Sequence, residues 1–317
     1  MHHPKRRAVG LASVGIALAS VTACGSGSAA GNGASGEGGN LKVVATTTQI
    51  ADFVRTVGGD RVAVTQLVKP NTSPHEYEPT PAAIQAIGQA ELLVKNGVGL
   101  EDAWLPKTVQ TSGFHGQTVD TSADIALRHG EDEETGKPAE DPHIWHNPQN
   151  AKIMCAAIEK ALTKADPAHT ADYEQRFTDY AAKLDALDKD IDSQINSLPE
   201  DSRKLVTNHD AFGYYIDRYH LTFVGSVIPD FSDQAELSGT QLDNLVKKIK
   251  AEQVKAVFGE SSLPPKTAQT IADQAGVKVV AGDGSLYGDS LGPEGSAGDT
   301  YLKSEEFNTK TIVDALK

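Results

Sequence analysis

From Leu41 onward the chain alternates short β-branched runs with helical stretches, in two sets of four strands separated by one long segment of helical period. The first set is Leu41–Thr47, Val62–Val68, Glu91–Asn96 and Gln117–Thr121, and the second is Arg203–Asn208, Leu221–Val227, Val254–Gly259 and Val277–Ala281. Helical stretches such as Pro81–Ala90 and Thr240–Glu252 fill the gaps. Strands that alternate with helices form parallel sheets, because parallel neighbours need a long crossover and cannot be joined by a tight turn. The pattern predicts an α/β protein of two similar parallel-sheet lobes, residues 41–165 and 200–317.

The segment between them, residues 166–199, reads as a single linking helix. Asp166 suits an N-cap and Pro167 the first helical position. Tyr173, Phe177, Tyr180, Leu184, Leu187, Ile191, Ile195 and Leu198 then recur at steps of three or four, one helix face, until Pro199 ends it. About 32 residues at ~1.5 Å each give roughly 48 Å, enough to run along both lobes. The same stripe would serve a coiled-coil dimer. Both ends lead straight into lobes that need a connector, so a monomer is preferred.

Ahead of Leu41 lie an address and a tether. Lys5, Arg6 and Arg7 precede the apolar and small run Ala8–Ala23, which is short for a membrane span but right for an export signal. Val21-Thr22-Ala23-Cys24 resembles the lipobox of bacterial lipoproteins, which implies cleavage of residues 1–23 and a lipid on Cys24. Gly and Ser dominate residues 24–40, a flexible tether of roughly 20–24 Å. The expected location is extracytoplasmic, anchored through the lipid to the outer face of the bacterial cell membrane. The arginine pair leaves twin-arginine export open beside the general route. Cys155 is then the one thiol of the body, so no disulfide frames the fold.

Lys and Arg total 29 against 43 Asp and Glu, a net charge of -14 that loss of the leader makes more acidic still. Such a surface argues against nucleic acid and suits a cationic ligand. Eight histidines remain after the leader, and three sit where chain geometry favours a site. His75 lies in the loop after Val62–Val68, His143 opens the helix before the long one, and His209 leaves the strand ending at Asn208. Ligands of open α/β sheets bind beyond the carboxyl ends of strands, so these residues can converge between the lobes. Imidazole suits zinc and other late first-row metals, and a carboxylate would complete a tetrahedron. Spacing leaves Asp283 and Asp289 equal candidates for it, and each histidine taken alone is better explained by a structural hydrogen bond.

Four ordered motifs go further: Pro74-His75-Glu76-Tyr77-Glu78-Pro79, Asp141-Pro142-His143-Ile144-Trp145, Thr207-Asn208-His209-Asp210-Ala211-Phe212-Gly213-Tyr214 and Leu286-Tyr287-Gly288-Asp289-Ser290-Leu291. With them the chain from about Leu41 to Lys317 resembles the zinc- and manganese-binding solute-binding proteins of ABC transporters, the cluster A-I or adhesin-like metal-binding lipoproteins. That resemblance implies two α/β lobes joined by a rigid helix, with the metal site in the cleft between them. It also implies the ligands His75, His143, His209 and Asp289, which selects Asp289 over Asp283. Histidine rather than glutamate at position 209 favours Zn2+ over Mn2+, in keeping with the Irving–Williams order for three imidazoles and one carboxylate.

Four protein ligands close a tetrahedron, whereas a hydrolytic zinc keeps a position for water. The sequence holds no nucleophile elbow, phosphate loop or His-Glu-x-x-His motif. The reading is a binding protein and not an enzyme, delivering zinc to an ABC permease. Manganese carriage, a surface adhesin, a metal buffer and a metallohydrolase are the rivals, and a metallochaperone is a further candidate partner. Glu260 is expected to orient a ligand histidine, His146 to be packed or to support the site, and Trp145 and Tyr77 to wall off water. Residues 129–136 take the place of the His-rich loop of many zinc members; with one histidine and four acids they read as a solvated, mobile charge run, with metal capture by the segment 129–139 as the sharper alternative. Cys155 is expected to be a buried helix residue. Two ligands are expected from each lobe, and affinity is expected to fall below roughly pH 6.5. The stiff helix confines release to small lobe shifts or loop movement.

Overall fold

In the computed structural model the described residues are 40–132, 137–232 and 238–317. The expected leader, nearly all of the tether, and Cys24 lie outside them. Asn40–Lys317 forms one compact unit.

The first sheet is built from β1 (Leu41–Ala45), β2 (Val62–Gln66), β3 (Leu92–Lys95) and β4 (Gln117–Asp120), with α1 (Thr48–Gly58), α2 (Pro81–Gln89) and α3 (Leu105–Ser112) between them. All pairings are parallel, in the order β2-β1-β3-β4. After a hairpin of β5 (His129–Asp132) and β6 (Lys137–Glu140) come α4 (Pro148–Ala165) and the long α5 (Thr170–Asn196). The second sheet follows with β7 (Lys204–His209), α6 (Gly213–Tyr219), β8 (Thr222–Ile228), α7 (Gly239–Ala251), β9 (Ala256–Phe258), α8 (Pro265–Ala275) and β10 (Lys278–Val280), and α9 (Tyr301–Leu316) closes the chain. Its order is β8-β7-β9-β10, again all parallel. Both sheets are thus wound alike: second strand, first, third, fourth.

Local chemistry sets the helix starts. Thr47 caps α1 by accepting the Ile50 N–H, and Thr80 caps α2 ahead of Pro81. Along α5 the predicted stripe is the buried face, with Tyr173, Tyr180, Leu184, Leu187, Ile191 and Ile195 in the core. This face packs on α1, α4 and α9.

The structure differs from the sequence reading in two places. Asp166 and Pro167 do not open the α-helix but a 3-10 turn, Pro167–His169, and α5 begins at Thr170. The cause is the Asp166 side chain, which is taken by the His169 ring at 2.6 Å and the Tyr173 hydroxyl at 2.7 Å and so leaves the first turn uncapped. Twenty-seven helical residues give about 40 Å. The acidic run is likewise no plain charge run. Residues 129–132 pair antiparallel with 137–140, His129 opposite Glu140, so the two ends of the run form a hairpin. Residues 133–136, the tip of the segment expected to capture metal, lie outside the described residues.

A winding of this order leaves a crevice where successive connections depart in opposite directions, between β1 and β3 in one sheet and between β7 and β9 in the other. The carboxyl ends of those strands carry Thr46, Asn96, His209 and, just beyond β9, Glu260.

Candidate metal centre

The four residues implied by the resemblance meet at one point. His75, His143, His209 and Asp289 each offer one donor atom, all within 4.8 Å of one another. The Nε2 atoms of His75 and His143 are 3.3 Å apart, as are those of His143 and His209. Asp289 Oδ1 lies 3.2 Å from His209 Nε2, 3.5 Å from His143 Nε2 and 3.7 Å from His75 Nε2. Neither carboxylate oxygen of Asp289 has a hydrogen-bond partner within the protein, although the residue is fully buried. An orphaned buried carboxylate facing three imidazole nitrogens is an arrangement that a cation completes.

Each ligand is aimed by its own neighbourhood. His143 sits in the Asp141-Pro142-His143 turn, where Asp141 Oδ1 accepts both the His143 N–H at 3.0 Å and its Nδ1–H at 2.8 Å. Arg128 bonds the other Asp141 oxygen at 3.2 Å. The turn is held to the first sheet by Asn96, whose amide donates to the Pro142 carbonyl at 2.9 Å. His209 ends β7 and repeats the device: Glu260 Oε1 accepts its N–H at 3.0 Å and its Nδ1–H at 2.8 Å. Fixing Nδ1 as the donor turns Nε2 and its lone pair to the centre. His75 lies in the long β2–α2 loop, its N–H bonded to Ser73 Oγ at 3.2 Å. It is the one ligand that reaches solvent, with a side chain 9% exposed against 0% for the other three. A cleft of about 410 Å³ opens beside it, lined by Val98, Asp102, Glu140, Asp230 and Phe231 among others.

The remaining expected residues divide. Glu260 takes the orienting position described. The Trp145 ring meets His143 edge-on at 5.4 Å while its indole N–H donates to the Gly288 carbonyl at 3.1 Å. Tyr77 stacks edge-on with Trp104 at 4.9 Å and lines a cavity with His75. His146 is outside the cluster: its Nδ1 bonds Glu305 at 2.9 Å and its ring lies on Phe212 at 4.3 Å. Asp283 is exposed on a 3-10 turn and Cys155 is buried in α4. Sequence reasoning assigned no role to Asp141. An aspartate two residues before a histidine is the signal that an Asx turn would have supplied.

Electrostatics in the metal-free site shift the pH expectation. Burial opposes a charge on His143, but the hydrogen bond to Asp141 and the nearby Asp289 carboxylate outweigh it and raise its pKa to about 9. Burial likewise opposes and the charges of Asp289 and Glu260 outweigh for His209, which is held well above the usual imidazole range. For Asp289, burial is overcome by the His209 charge and the closeness of the three imidazoles, so it stays ionised far below the usual carboxylate range. Protons therefore compete with metal well above pH 6.5, the level expected from unperturbed imidazoles.

Known proteins share this architecture. Residues 43–315 match the family described as ZnuA, zinc-uptake complex component A, periplasmic. The manganese ABC transporter substrate-binding lipoprotein PsaA of Streptococcus anginosus is 31% identical over 308 residues, 95% of this chain and 96% of that one. The iron ABC transporter substrate-binding lipoprotein MtsA of Streptococcus pyogenes serotype M1 is 30% identical, covering 87% of this chain and 89% of its own. Among solved structures, the periplasmic zinc binding protein TroA from Treponema pallidum superposes with a TM-score of 0.79 at 29% identity, over 88% of this chain and 99% of TroA. No helix among the described residues is long and apolar enough to cross a membrane. The chain belongs to the ZnuA family of metal-binding substrate-binding proteins of ABC transporters, which carry a metal ion to a permease and are not enzymes.

Proposed function

We propose that the cargo is zinc, held by His75, His143, His209 and Asp289 and delivered to the membrane subunits of an importing ABC permease. The observation that carries this reading is the spacing of the donors. A tetrahedral ion with bonds of about 2.0–2.1 Å has ligand atoms ~3.3 Å apart; five of the six donor separations run from 3.2 to 3.7 Å, and the sixth, His75 to His209, is within 4.8 Å. Three imidazoles and one carboxylate form a borderline shell that the Irving–Williams order fills with zinc before manganese or iron. Closure by four protein ligands suits carriage, because it leaves no position for a reactive water.

Residues 1–23 are proposed as the leader, Cys24 as the lipid-bearing residue and residues 24–40 as the tether. These keep a monomeric body in water at the outer face of the membrane. Relatives named for lipoproteins support this reading. A metallochaperone is a candidate donor to the site.

Metal content and competitive titration test the assignment. The protein should take one zinc per chain, release it to a competitor more slowly than manganese, and lose affinity on His209→Ala and on Asp289→Ala. Tight manganese with weak zinc would move the cargo to manganese, the metal named for several relatives at about the same identity. No stoichiometric metal would overturn the reading.

A further inference from the structure

Asp289 lies between β10 and α9, so chain order groups it with His209 in the second lobe. Its backbone is bonded otherwise. Leu286 is the last residue of this segment on the second sheet: its N–H donates to the Gly259 carbonyl and its carbonyl accepts from the Ser261 N–H, each at 2.9 Å. Tyr287 then exchanges hydrogen bonds with the Asn308 side chain of α9, a helix packed on α5 and α1. From Gly288 the partners belong to the first half. Trp145 Nε1 donates to the Gly288 carbonyl at 3.1 Å, and Gln49 Nε2 donates to the Asp289 carbonyl at 3.0 Å. The Leu291 N–H donates to Thr48 Oγ1 at 2.8 Å, and the Leu291 carbonyl accepts from the Asn71 N–H at 3.2 Å. Farther on, the Tyr301 N–H donates to Asp52 of α1 at 3.0 Å. The Thr48 hydroxyl also donates to Gln49 Oε1 at 2.9 Å, joining the two α1 residues into one clamp.

His209 is held in the opposite way. Its backbone pairs with Ile228 of β8, and its ring and N–H bond Glu260. Where the two systems meet, Gly288 presses directly on the Glu260 carboxylate, which a side chain at 288 would displace. Glu260 Oε2 has no hydrogen-bond partner, so this close approach is not pinned by a bond from the Glu260 carboxylate to Gly288. Breaking the clamp would instead strand buried polar groups, since Thr48, Gln49 and Asp289 are all buried.

We propose that Asp289 travels with the first lobe, fixed by Gln49 and Thr48 as positioning residues, so that separating the two sheets withdraws His209 alone from the metal. The ion would then keep His75, His143 and Asp289 and gain one open position, where an incoming donor attacks. The hinge of the ligand loop is Tyr287. The expected two-and-two division of ligands becomes three and one.

This inference rests on Asp289 being a ligand, and the experiment separates the two. Zinc release into excess chelator is followed for the wild type, Asp289→Ala, Thr48→Ser, and the pair Thr48→Val with Gln49→Leu; cobalt(II) absorption of each loaded protein reports the coordination geometry. The paired variant should release zinc about 10-fold faster or more, in the range seen when groups that orient ligands are removed. Its tetrahedral cobalt bands should weaken, while Thr48→Ser, which keeps the acceptor, behaves as wild type. If the paired variant fails to fold, Gln49→Met alone carries the test in the same direction. Wild-type release and an unchanged cobalt spectrum in the clamp variants, with Asp289→Ala weakened, would overturn the inference and leave the ligand assignment standing. An unaffected Asp289→Ala would remove both.

Discussion

When a metal ion enters this site, His143 has to surrender a proton that the folded protein holds firmly. Burial works against that proton, yet the Asp141 hydrogen bond and the nearby Asp289 carboxylate prevail and raise the pKa to about 9. At pH 7.5 such a group is ~97% protonated, whereas an unperturbed imidazole near 6.5 is only ~9% protonated. Loading should therefore release about one proton from His143 alone. His209 is raised too, but its Nε2 lies 3.3 Å from that of His143, and mutual repulsion keeps the pair from both being fully charged. The expected total is between about one and two protons, against about 0.3 for three ordinary histidines. Expelling the His143 proton at pH 7.5 costs about 2 kcal/mol, a ~30-fold loss of apparent affinity that higher pH restores. Calorimetric titration with zinc in several buffers of different ionisation enthalpy, all at pH 7.5, measures the released protons directly. Asp141→Asn removes one of the charges that hold the proton and should lower the number. A wild-type release of 0.3 proton or less would refute the reasoning.

Further outcomes follow from the same contacts. Because its pKa is raised in the fold, His143 stabilises the metal-free protein fully below about pH 6.5 and loses that contribution as pH rises through about 9; melting the metal-free protein between these values should show a fall that zinc abolishes. Glu260→Gln keeps an acceptor for His209 but removes its charge, so zinc affinity should drop about 10–100-fold with little change in far-ultraviolet circular dichroism. Ile191→Ala on the buried face of α5 should cost about 2–5 kcal/mol in denaturant unfolding while leaving zinc stoichiometry at one. A cost under about 1 kcal/mol would show that the α5 stripe is not core.

The parts of this molecule that were legible beforehand are those written in local pattern. Each of the eight expected strands of the two sheets is present, with ends moved by two residues at most, because β-branched runs bounded by turn residues encode both strand and limit. The histidines were legible because each leaves the end of a strand or lies in a Pro-rich turn next to one. What escaped is not carried by hydrophobic period. Nothing near Asp166 announces that His169 and Tyr173 will occupy its side chain and delay α5 by a turn. The hairpin at 129–140 is set by backbone pairing across an acidic segment whose composition speaks for solvent. The clamp on Asp289 joins residues some 240 positions apart, a contact that no spacing rule anticipates. Asp141 was readable, since its role depends only on the residue two places on.

X-ray absorption at the zinc edge of the loaded protein, compared with the loaded Asp289→Ala variant, tests the central claim most directly. The account predicts four light ligands at about 2.0–2.1 Å, with the outer-shell scattering of three imidazoles, and loss of the carboxylate oxygen in the variant. A six-coordinate shell, fewer than three imidazoles, or an unchanged spectrum for Asp289→Ala would contradict it.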